Sequence, residues 1–421
     1  MRGEERIEGA APRLWRSILA AAAGNVLEWY DFTVYAYMAP YIAAKFFPGD
    51  DRVAGLLAVF LTFGLGFLVR PLGGILIGRF GDVRGRKAAL LLTLVLMAVG
   101  TAGIGLIPGY DKISGVAPWL LVLCRLVQGF SAGGEWGSST AFIYEWAPKG
   151  RRAFFSSLQQ SSVAGGMLLG SAIAALLGTM LSKTQMSDFG WRLPFLLGAS
   201  IVPVGWYLWH YVEETPVFVS GTTAPVTIGA GAGLAVKAGG IIVIWTVAYY
   251  AILTYMPVFT AQYSKLGASA ALWSNALSLL VLAVTIPFFG RLADRIGRKP
   301  LLLAGAIGFT LLSYPLFLVI VNSDGMLPVV LAQIVFALMT AIYSGSAPAA
   351  VTEIFPSASR LLWMSTGYSL TVALFGGFGP YIATWLVKHT GSPLSPVLYI
   401  SACALLSLAV IARIKETRHD G

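Results

Sequence analysis

A ten-residue segment occurs twice in this chain, half a chain length apart, and both copies follow the pattern G-R-x-x-D-x-x-G-R-K. The first copy spans residues 78–87 and the second spans residues 290–299. Each copy lies between two long apolar segments, so each is predicted to be a short basic turn joining two membrane helices. Two copies at this spacing indicate a duplicated membrane protein whose halves fold as similar helix bundles.

The composition excludes an ordinary soluble globule. Of the 421 residues, 57% are apolar and 11% are charged, and the mean hydropathy is +0.76, whereas a soluble protein carries roughly a quarter charged residues. The net charge of +10 does not indicate nucleic-acid binding, because Lys and Arg lie in loops between apolar runs rather than on one basic face. The lipid bilayer is the expected surrounding, with no nucleic-acid partner.

Apolar runs of about 20 residues, each bounded by turns, predict an all-α membrane protein with twelve transmembrane helices. Two pseudo-symmetric six-helix bundles are expected over residues 1–211 and 236–421, joined by a cytoplasmic linker over residues 212–235. The predicted spans are 17–44, 54–79, 88–107, 117–146, 152–181, 191–211, 236–263, 269–290, 300–321, 326–350, 360–387 and 393–414.

The positive charges predict the orientation. With both termini in the cytoplasm, Lys and Arg are about three times as frequent in the cytoplasmic segments as in the outer loops, as the positive-inside rule requires. The N-terminal segment has mixed charge and no clear small-residue cleavage site, so it is predicted to be a cytoplasmic tail rather than a signal peptide. We expect a multi-pass, monomeric protein of the cell inner membrane.

Ionisable residues at membrane depth are the strongest functional signal, because each costs at least ~2.5–3.5 kcal/mol at a helix centre. The first half has five: Glu28 and Asp31 in helix 1, Arg70 in helix 2, and Arg125 and Glu135 in helix 4. The second half has none at comparable depth. Substrate and ion chemistry is therefore expected in the first half, with the second half contributing polar and aromatic walls.

Three segments carry a family resemblance, together with the duplicated motif. The motif resembles the signature loop of the major facilitator superfamily. Residues 24–32 (GNVLEWYDF), 66–74 (GFLVRPLGG) and 125–135 (RLVQGFSAGGE) resemble the signatures of helices 1, 2 and 4 in its metabolite:proton symporter branch. The resemblance implies the twelve-helix fold and transport of citrate or tricarballylate, α-ketoglutarate, shikimate, or proline and betaine, together with protons.

A carboxylate-binding site is expected around the buried arginines, because a planar guanidinium suits bidentate recognition of a carboxylate. Helical spacing places polar residues of helix 1 on one stripe and Arg125, Gln128, Glu135 and Ser139 of helix 4 on another. Arg125 has a structural alternative, since it can simply anchor a neighbouring helix. The predicted substrate-binding residues are Arg125, Arg70, Gln128, Gln160, Tyr35 and Asn25.

The three buried acids are the candidates for proton coupling. They outnumber the two buried arginines, so leaving all three ionised would bury an uncompensated negative charge. Asp31 ranks first, because it lies nearer mid-membrane, followed by Glu135 and Glu28. In the alternative, the arginines and helix dipoles neutralise all three acids, and the protein is an uncoupled facilitator.

The duplicated motif is expected to act as a latch between the halves. A carboxylate in such a turn can meet both guanidinium groups and the positive end of a neighbouring helix. By resemblance, Asp82 would hold the start of helix 11. The predicted latch residues are Asp82, Arg86, Asp294 and Arg298.

The expected function is proton-coupled uptake of a small organic anion resembling a di- or tricarboxylate. The alternative is a proton-coupled carrier of a zwitterion of the proline or betaine type, although no long coiled-coil tail follows Arg413, which argues against the osmosensing betaine type. The proton gradient is the expected energy source, without a cofactor, because a Walker sequence is absent.

Two further classes of protein remain as rivals to a carrier. A membrane-embedded hydrolase is conceivable because residues 129–133 fit G-x-S-x-G around Ser131, but that motif needs a preceding strand, and packing of small residues within one apolar span explains it better. A substrate sensor without flux is the other rival. A metal site is not expected, because the three histidines lack ligand spacing.

Overall fold

The structure is a computed structural model that describes residues 10–84, 86–148, 150–198, 228–356 and 360–416. Within these ranges the secondary structure is helical, without a β-strand. Eight of the described helices are long and apolar enough to cross a membrane, and two shorter apolar helices accompany them. Helix 1 and the start of helix 6 complete the twelve predicted spans, so the all-α membrane fold is confirmed.

The helices are labelled α1–α12 in chain order. The first half contains α1 Ala10–Tyr37, α2 Arg52–Arg84, α3 Arg86–Leu106, α4 Val116–Ser131 continuing as Glu135–Trp146, α5 Arg152–Met180 and the beginning of α6, Leu193–Gly198. The second half contains α7 Ile228–Val247 continuing as Met256–Tyr263, α8 Ala268–Ile296, α9 Lys299–Asn322, α10 Met326–Ile354, α11 Arg360–Thr371 continuing as Gly379–Thr390, and α12 Pro396–Arg413.

The start of α7 differs from the expected boundary between the halves. The described part of this helix starts at Ile228, within the predicted linker 212–235. The remainder of the predicted linker, up to residue 227, lies outside the described residues.

Four of the described spans are interrupted rather than continuous. The first is divided at Met38, after which a short helix, Ala39–Phe46, completes it. A 3₁₀ turn, Ala132–Gly134, divides α4, and π turns divide α7 at Ala248–Thr254 and α11 at Val372–Gly377. Each π turn precedes a proline, Pro257 or Pro380, which lacks the N–H needed for the regular ladder.

The 3₁₀ turn interrupts helix 4 within the expected stripe. Three 3₁₀ residues advance the helix by 120° each instead of 100°, so the face rotates by roughly 60° across the turn. Arg125 and Gln128 lie before the turn, whereas Glu135 and Ser139 lie after it. With this rotation the four backbone positions still fall within one arc of roughly 80° around the helix axis, so the stripe remains a prediction.

The duplicated motif is more helical than expected. In the second copy α8 continues to Ile296 and α9 begins at Lys299, so the turn itself is short and centres on Gly297. Gly297 has φ 104°, a backbone conformation that a side chain disfavours. The motif therefore supplies two helix ends and one glycine turn rather than a ten-residue loop.

Close backbone contact joins α2 to α4. A Cβ on Gly129 would lie 1.8 Å from the carbonyl oxygen of Gly66, and one on Gly73 would lie equally close to that of Phe130. These contacts confirm the small-residue packing expected for residues 129–133. The two halves meet where α1, α2 and α5 pack against α7, α11 and α8.

Candidate functional site

A small cavity lies between the two halves, with a volume of about 10 Å³, roughly the space for one water molecule. It is lined from the first half by α1 and α5 and from the second half by α7 and α11. The lining residues are Trp29, Gln160, Ile242, Trp245, Thr246, Tyr249, Tyr250 and Tyr368. The second half thus contributes uncharged polar and aromatic walls, as expected.

Aromatic rings form most of this wall. The Trp29 ring lies 5.6 Å from the Tyr249 ring and 5.4 Å from the Tyr250 ring. Tyr249 and Tyr250 are adjacent in sequence, and both belong to the π turn of α7. Trp245 packs edge-on against Tyr368, with ring centroids 6.5 Å apart. Such a set of ring faces attracts a cation, particularly a quaternary ammonium group.

Hydrogen-bond donors without partners also line the cavity. The amide nitrogen Nε2 of Gln160 and the hydroxyl groups of Thr246 and Tyr250 are buried, and they have no hydrogen-bond partner among the described residues. A buried donor without a partner costs about 1–3 kcal/mol. These three groups are therefore suited to an acceptor such as a carboxylate.

A buried ion pair lies beside the cavity. Arg70 Nη2 is 3.5 Å from Glu28 Oε1, and both side chains are nearly inaccessible to solvent. The Arg70 guanidinium also lies 4.4 Å from the centre of the Phe67 ring, which in turn is 5.0 Å from the Tyr250 ring. The pair therefore connects to the cavity through Phe67, and through Trp29, which follows Glu28 in sequence.

A chain of hydrogen bonds connects Arg125 to Asp31. Arg125 Nη1 donates to Gln128 Oε1 at 2.8 Å, and Gln128 Nε2 donates to Thr101 Oγ1 at 2.7 Å. Thr101 Oγ1 lies 2.6 Å from Asp31 Oδ2. Thr101 was not among the residues singled out from the sequence, because one threonine in an apolar span gives no signal.

The remaining predicted substrate residues lie around these groups. Gln160 lines the cavity, whereas Arg125 is fully buried over the Tyr35 ring at 4.3 Å. The Tyr35 hydroxyl donates to the carbonyl of Val59, and Asn25 Nδ2 donates to Ser162 Oγ at 3.4 Å. The side chain of Glu135 lies outside the described part. The roles assigned to these residues remain predictions.

The end of the bundle that carries the α2–α3 and α8–α9 turns, here called the motif end, is closed by Asp294. Its Oδ1 and Oδ2 accept the backbone N–H groups of Ala153 and Phe154 at 3.0 and 2.9 Å. These residues lie in the first turn of α5, in the other half of the protein. Asp294 also pairs with Arg298 at 3.3 Å. A motif aspartate thus binds both an arginine and a helix start.

Further contacts at the motif end extend this closure. Arg298 pairs with Glu353 at 3.1 Å, and Glu353 accepts a hydrogen bond from the Tyr144 hydroxyl of the first half. Closer to the cavity, the rings of Trp136 and Tyr368 stack 3.7 Å apart. The side chains of the predicted latch residues Asp82 and Arg86 lie outside the described part.

The opposite end of the bundle is also closed. Asn275 Nδ2 of α8 donates to the Tyr37 hydroxyl of α1 at 3.2 Å. Lys388 at the end of α11 pairs with Asp51 before α2 at 2.7 Å. The hydrogen bond from Lys388, together with that from the Ala54 N–H, lowers the pKa of Asp51. Contacts between the halves thus lie at both ends of the bundle.

Comparisons with known proteins place both halves in transporter families. Residues 17–224 match the family described as "Sugar (and other) transporter", and residues 263–420 match the "Major Facilitator Superfamily". A putative proline/betaine transporter of Staphylococcus aureus (strain MSSA476) is 35% identical to this chain, over 95% of the chain and 88% of that protein.

Other relatives have similar names. A glycine betaine/proline/ectoine/pipecolic acid transporter of Dickeya dadantii is 33% identical, and a proline/betaine transporter of Escherichia coli K12 is 32% identical; each match covers 96% of this chain and 84% of the relative. The partially occluded inward-open structure of the xylose transporter XylE from E. coli is similar in fold, with a TM-score of 0.78 at 18% identity, covering 97% of this chain and 99% of that one.

Proposed function

Because this chain belongs to the major facilitator superfamily, we propose that it is a proton-coupled carrier of a small zwitterion with one carboxylate and one quaternary or secondary ammonium group. The substrate class is that named for the relatives, proline and betaine. The motif end faces the cytoplasm, and the inward proton gradient drives uptake across the inner membrane into the cell.

The lining of the central cavity carries this proposal. None of the described residues that line it has a formal charge, so the cavity suits a ligand with no net charge. Five aromatic side chains offer ring faces to an ammonium group, and three unpaired donors suit one carboxylate. A zwitterion supplies both groups.

The organic anion that the sequence favoured is less well supported. That expectation relied on two buried guanidinium groups being available to carboxylates. Arg70 is instead paired with Glu28, Arg125 is bonded to Gln128, and neither residue lines the cavity. The names of the relatives also favour a zwitterion over an organic anion. The earlier argument from the segment after Arg413 concerns the osmosensing betaine type. It does not distinguish a carrier of organic anions from a carrier of zwitterions.

A hydrolase built on Ser131 has little support. The Ser131 hydroxyl donates to the carbonyl of Gln128 within the first part of α4. This segment is helical, and a nucleophile elbow needs a strand before the serine. The relatives are transporters, which fits a carrier rather than an enzyme.

Uptake by proteoliposomes tests the proposal directly. We expect purified protein to accumulate radiolabelled glycine betaine or proline when the outside is acidic, and to leave citrate and α-ketoglutarate outside. Accumulation of the organic acids alone would overturn the assignment. Betaine uptake that ignores the proton gradient would indicate an uncoupled facilitator, and betaine binding without uptake would indicate a sensor.

Replacing Trp245 by Leu tests the aromatic wall. Losing one ring face is expected to weaken betaine binding by about 1–2 kcal/mol, roughly 5- to 30-fold, measured by isothermal titration calorimetry. The control is Trp119→Leu, because Trp119 is 75% exposed on α4 and is not part of the cavity. Equal affinities for the two variants would contradict the assigned role of the rings.

A further inference from the structure

Thr101 lies between a buried acid, Asp31, and a buried cation, Arg125. The sequence did not reveal this position. We propose that Thr101 is a positioning residue that transmits the protonation of Asp31 to Gln128 and Arg125. This inference deepens the proposed function and rests on it, because it concerns how proton binding is coupled to movement of the solute. It concerns the α1–α3–α4 contact rather than the cavity lining.

The Thr101 hydroxyl has three neighbours and only one hydrogen to donate. Its oxygen lies 2.6 Å from Asp31 Oδ2 and 2.9 Å from the carbonyl oxygen of Met97, and it accepts a hydrogen bond from Gln128 Nε2. Asp31 and Met97 both offer acceptor atoms, so the hydrogen can point to one of them at a time. Rotation about the Cβ–Oγ1 bond exchanges them without moving a heavy atom.

With Asp31 ionised, every hydrogen bond in the chain points the same way. Arg125 donates to Gln128, Gln128 donates to Thr101, and Thr101 donates to the carboxylate. A chain of aligned donors that begins at a cation and ends at an anion is polarised along its whole length, and each bond strengthens the next. In this state Arg125 is held in place.

With Asp31 protonated, the last bond reverses. The proton that arrives from the solvent forms an O–H bond on Oδ2, which then donates to Thr101 Oγ1, and the Thr101 hydroxyl turns to the carbonyl of Met97. No covalent bond of the protein breaks. The anion at the end of the chain is gone and the alignment is lost, so Arg125 is held less firmly.

Arg125 is able to respond to this change. Its Nε and Nη2 atoms are buried and have no hydrogen-bond partner among the described residues. Asp31 Oδ1 is likewise without a partner in the described part, and it lies against Gly198 of α6, where an added Cβ would come within 2.7 Å. The Thr101 chain is thus the hydrogen-bonded connection between these two groups.

Few other charges act on Asp31. Within the described ranges, the charged side chains facing it are Arg125 from α4 and Glu28 from its own helix, and Tyr30 is the neighbouring titratable group. The polar contact from α3 is Thr101 itself, and α6 contributes Gly198. The hydrogen-bonded link between Asp31 and Arg125 therefore runs through one hydroxyl and one amide, beside the direct attraction between the two charges.

Three variants of the full-length protein in proteoliposomes test the proposal. Thr101→Val keeps the side-chain shape without the hydroxyl, Thr101→Ser restores the hydroxyl, and Thr33→Val is the matched control. Thr33 is also fully buried, but among the described residues its hydroxyl bonds to the carbonyls of Trp29 and Tyr30 in its own helix. Wild type is assayed first, for proton-driven accumulation and for exchange of betaine at equal pH.

We expect Thr101→Val to lower proton-driven accumulation at least tenfold while exchange stays within about threefold of wild type. Thr101→Ser and Thr33→Val should behave as wild type. Normal accumulation by Thr101→Val, or an equal loss of accumulation and exchange in this variant that Ser does not rescue, would overturn the proposal. A wild type that fails to accumulate betaine would instead defeat the proposed function, before any variant is compared.

A second measurement needs no transport. Infrared difference spectroscopy of purified protein follows the C=O band of protonated Asp31, identified by its loss in Asp31→Asn. The pH at which this band appears is expected to shift in Thr101→Val and to remain as in wild type in Thr101→Ser and Thr33→Val, since only the first variant removes a bond to the carboxylate. An unshifted band in Thr101→Val would overturn the inference even if that variant transports poorly.

Discussion

The closed motif end depends on Asp294, and Asp294→Asn should open it. The carboxylate accepts two backbone N–H groups at the start of α5, and its side chain is only 7% exposed. Asparagine keeps one acceptor oxygen, but its NH₂ group faces the second N–H. The variant also loses the charge that favours the positive end of α5.

The size of the effect can be estimated from these contacts. A hydrogen bond to a charged group contributes about 1.5–3 kcal/mol, and the helix dipole adds about 0.3–1 kcal/mol. Asparagine avoids the desolvation of the carboxylate, which offsets part of the loss. We therefore expect Asp294→Asn to destabilise the closed state of the motif end by about 2 kcal/mol relative to the open state. The ratio of closed to open molecules then falls roughly 30-fold.

Cysteine labelling measures this ratio. Ser157 is fully buried on α5 at the contact with Gly290 of α8, so Ser157→Cys should react with a maleimide only when the motif end opens. The two native cysteines, Cys124 and Cys403, are first replaced by alanine. Labelling of Ser157→Cys should become roughly 30-fold faster when Asp294→Asn is added.

The control for this experiment is Asp324→Asn. Asp324 also belongs to an ion pair of the second half, with Lys265, but it is exposed and lies at the opposite end of the bundle. Labelling in this control should change less than about twofold, because exposed pairs contribute little. If Asp294→Asn leaves the labelling rate unchanged, the carboxylate does not hold the two halves together.

Two further predictions concern the opposite end and the buried arginine. Because the hydrogen bond from Lys388 lowers the pKa of Asp51, this pair stabilises closure above the usual pKa range of aspartate, and its contribution is lost as the pH falls through the lowered value. A cysteine at the α1–α8 contact should therefore be labelled faster in Asp51→Asn than in wild type at neutral pH, and acid should accelerate labelling in wild type but not in the variant. The same acid-induced increase in both proteins would contradict this prediction. Arg125→Lys keeps the charge but cannot reproduce the guanidinium bond to Gln128 together with the stacking on Tyr35. Proton-driven accumulation should therefore fall about tenfold or more. A loss of thermal stability alone would show that Arg125 is structural.

Local patterns in the sequence were enough to predict the architecture. The duplicated motif and the apolar runs predicted a twelve-helix fold because both signals are local and both depend on the low dielectric of the bilayer. The same argument identified Glu28, Asp31, Arg70 and Arg125, since a charge in an apolar span is visible without knowing its neighbours. All four are buried in the structure.

The sequence did not predict the partners of these charges. Helical spacing is periodic within one helix, whereas a bond between helices depends on their rotation and depth. Glu28 therefore pairs with Arg70, and Asp31 reaches Arg125 only through Thr101 and Gln128. The 3₁₀ turn in α4 rotates its second part, which no periodic pattern anticipates.

The sequence by itself determined that this chain spans a membrane in two similar halves and buries charges in the first. Only the tertiary structure decided which side chains line the space between those halves. The chain contains 12 Trp and 17 Tyr, so Trp245, Tyr249 and Tyr368 are not distinctive in the sequence. They become a site because the π turn of α7 and the packing of α1 and α11 bring their rings to one cavity. One ring face attracts a cation weakly and several around one point attract it more strongly, and that convergence is a property of the assembled helices.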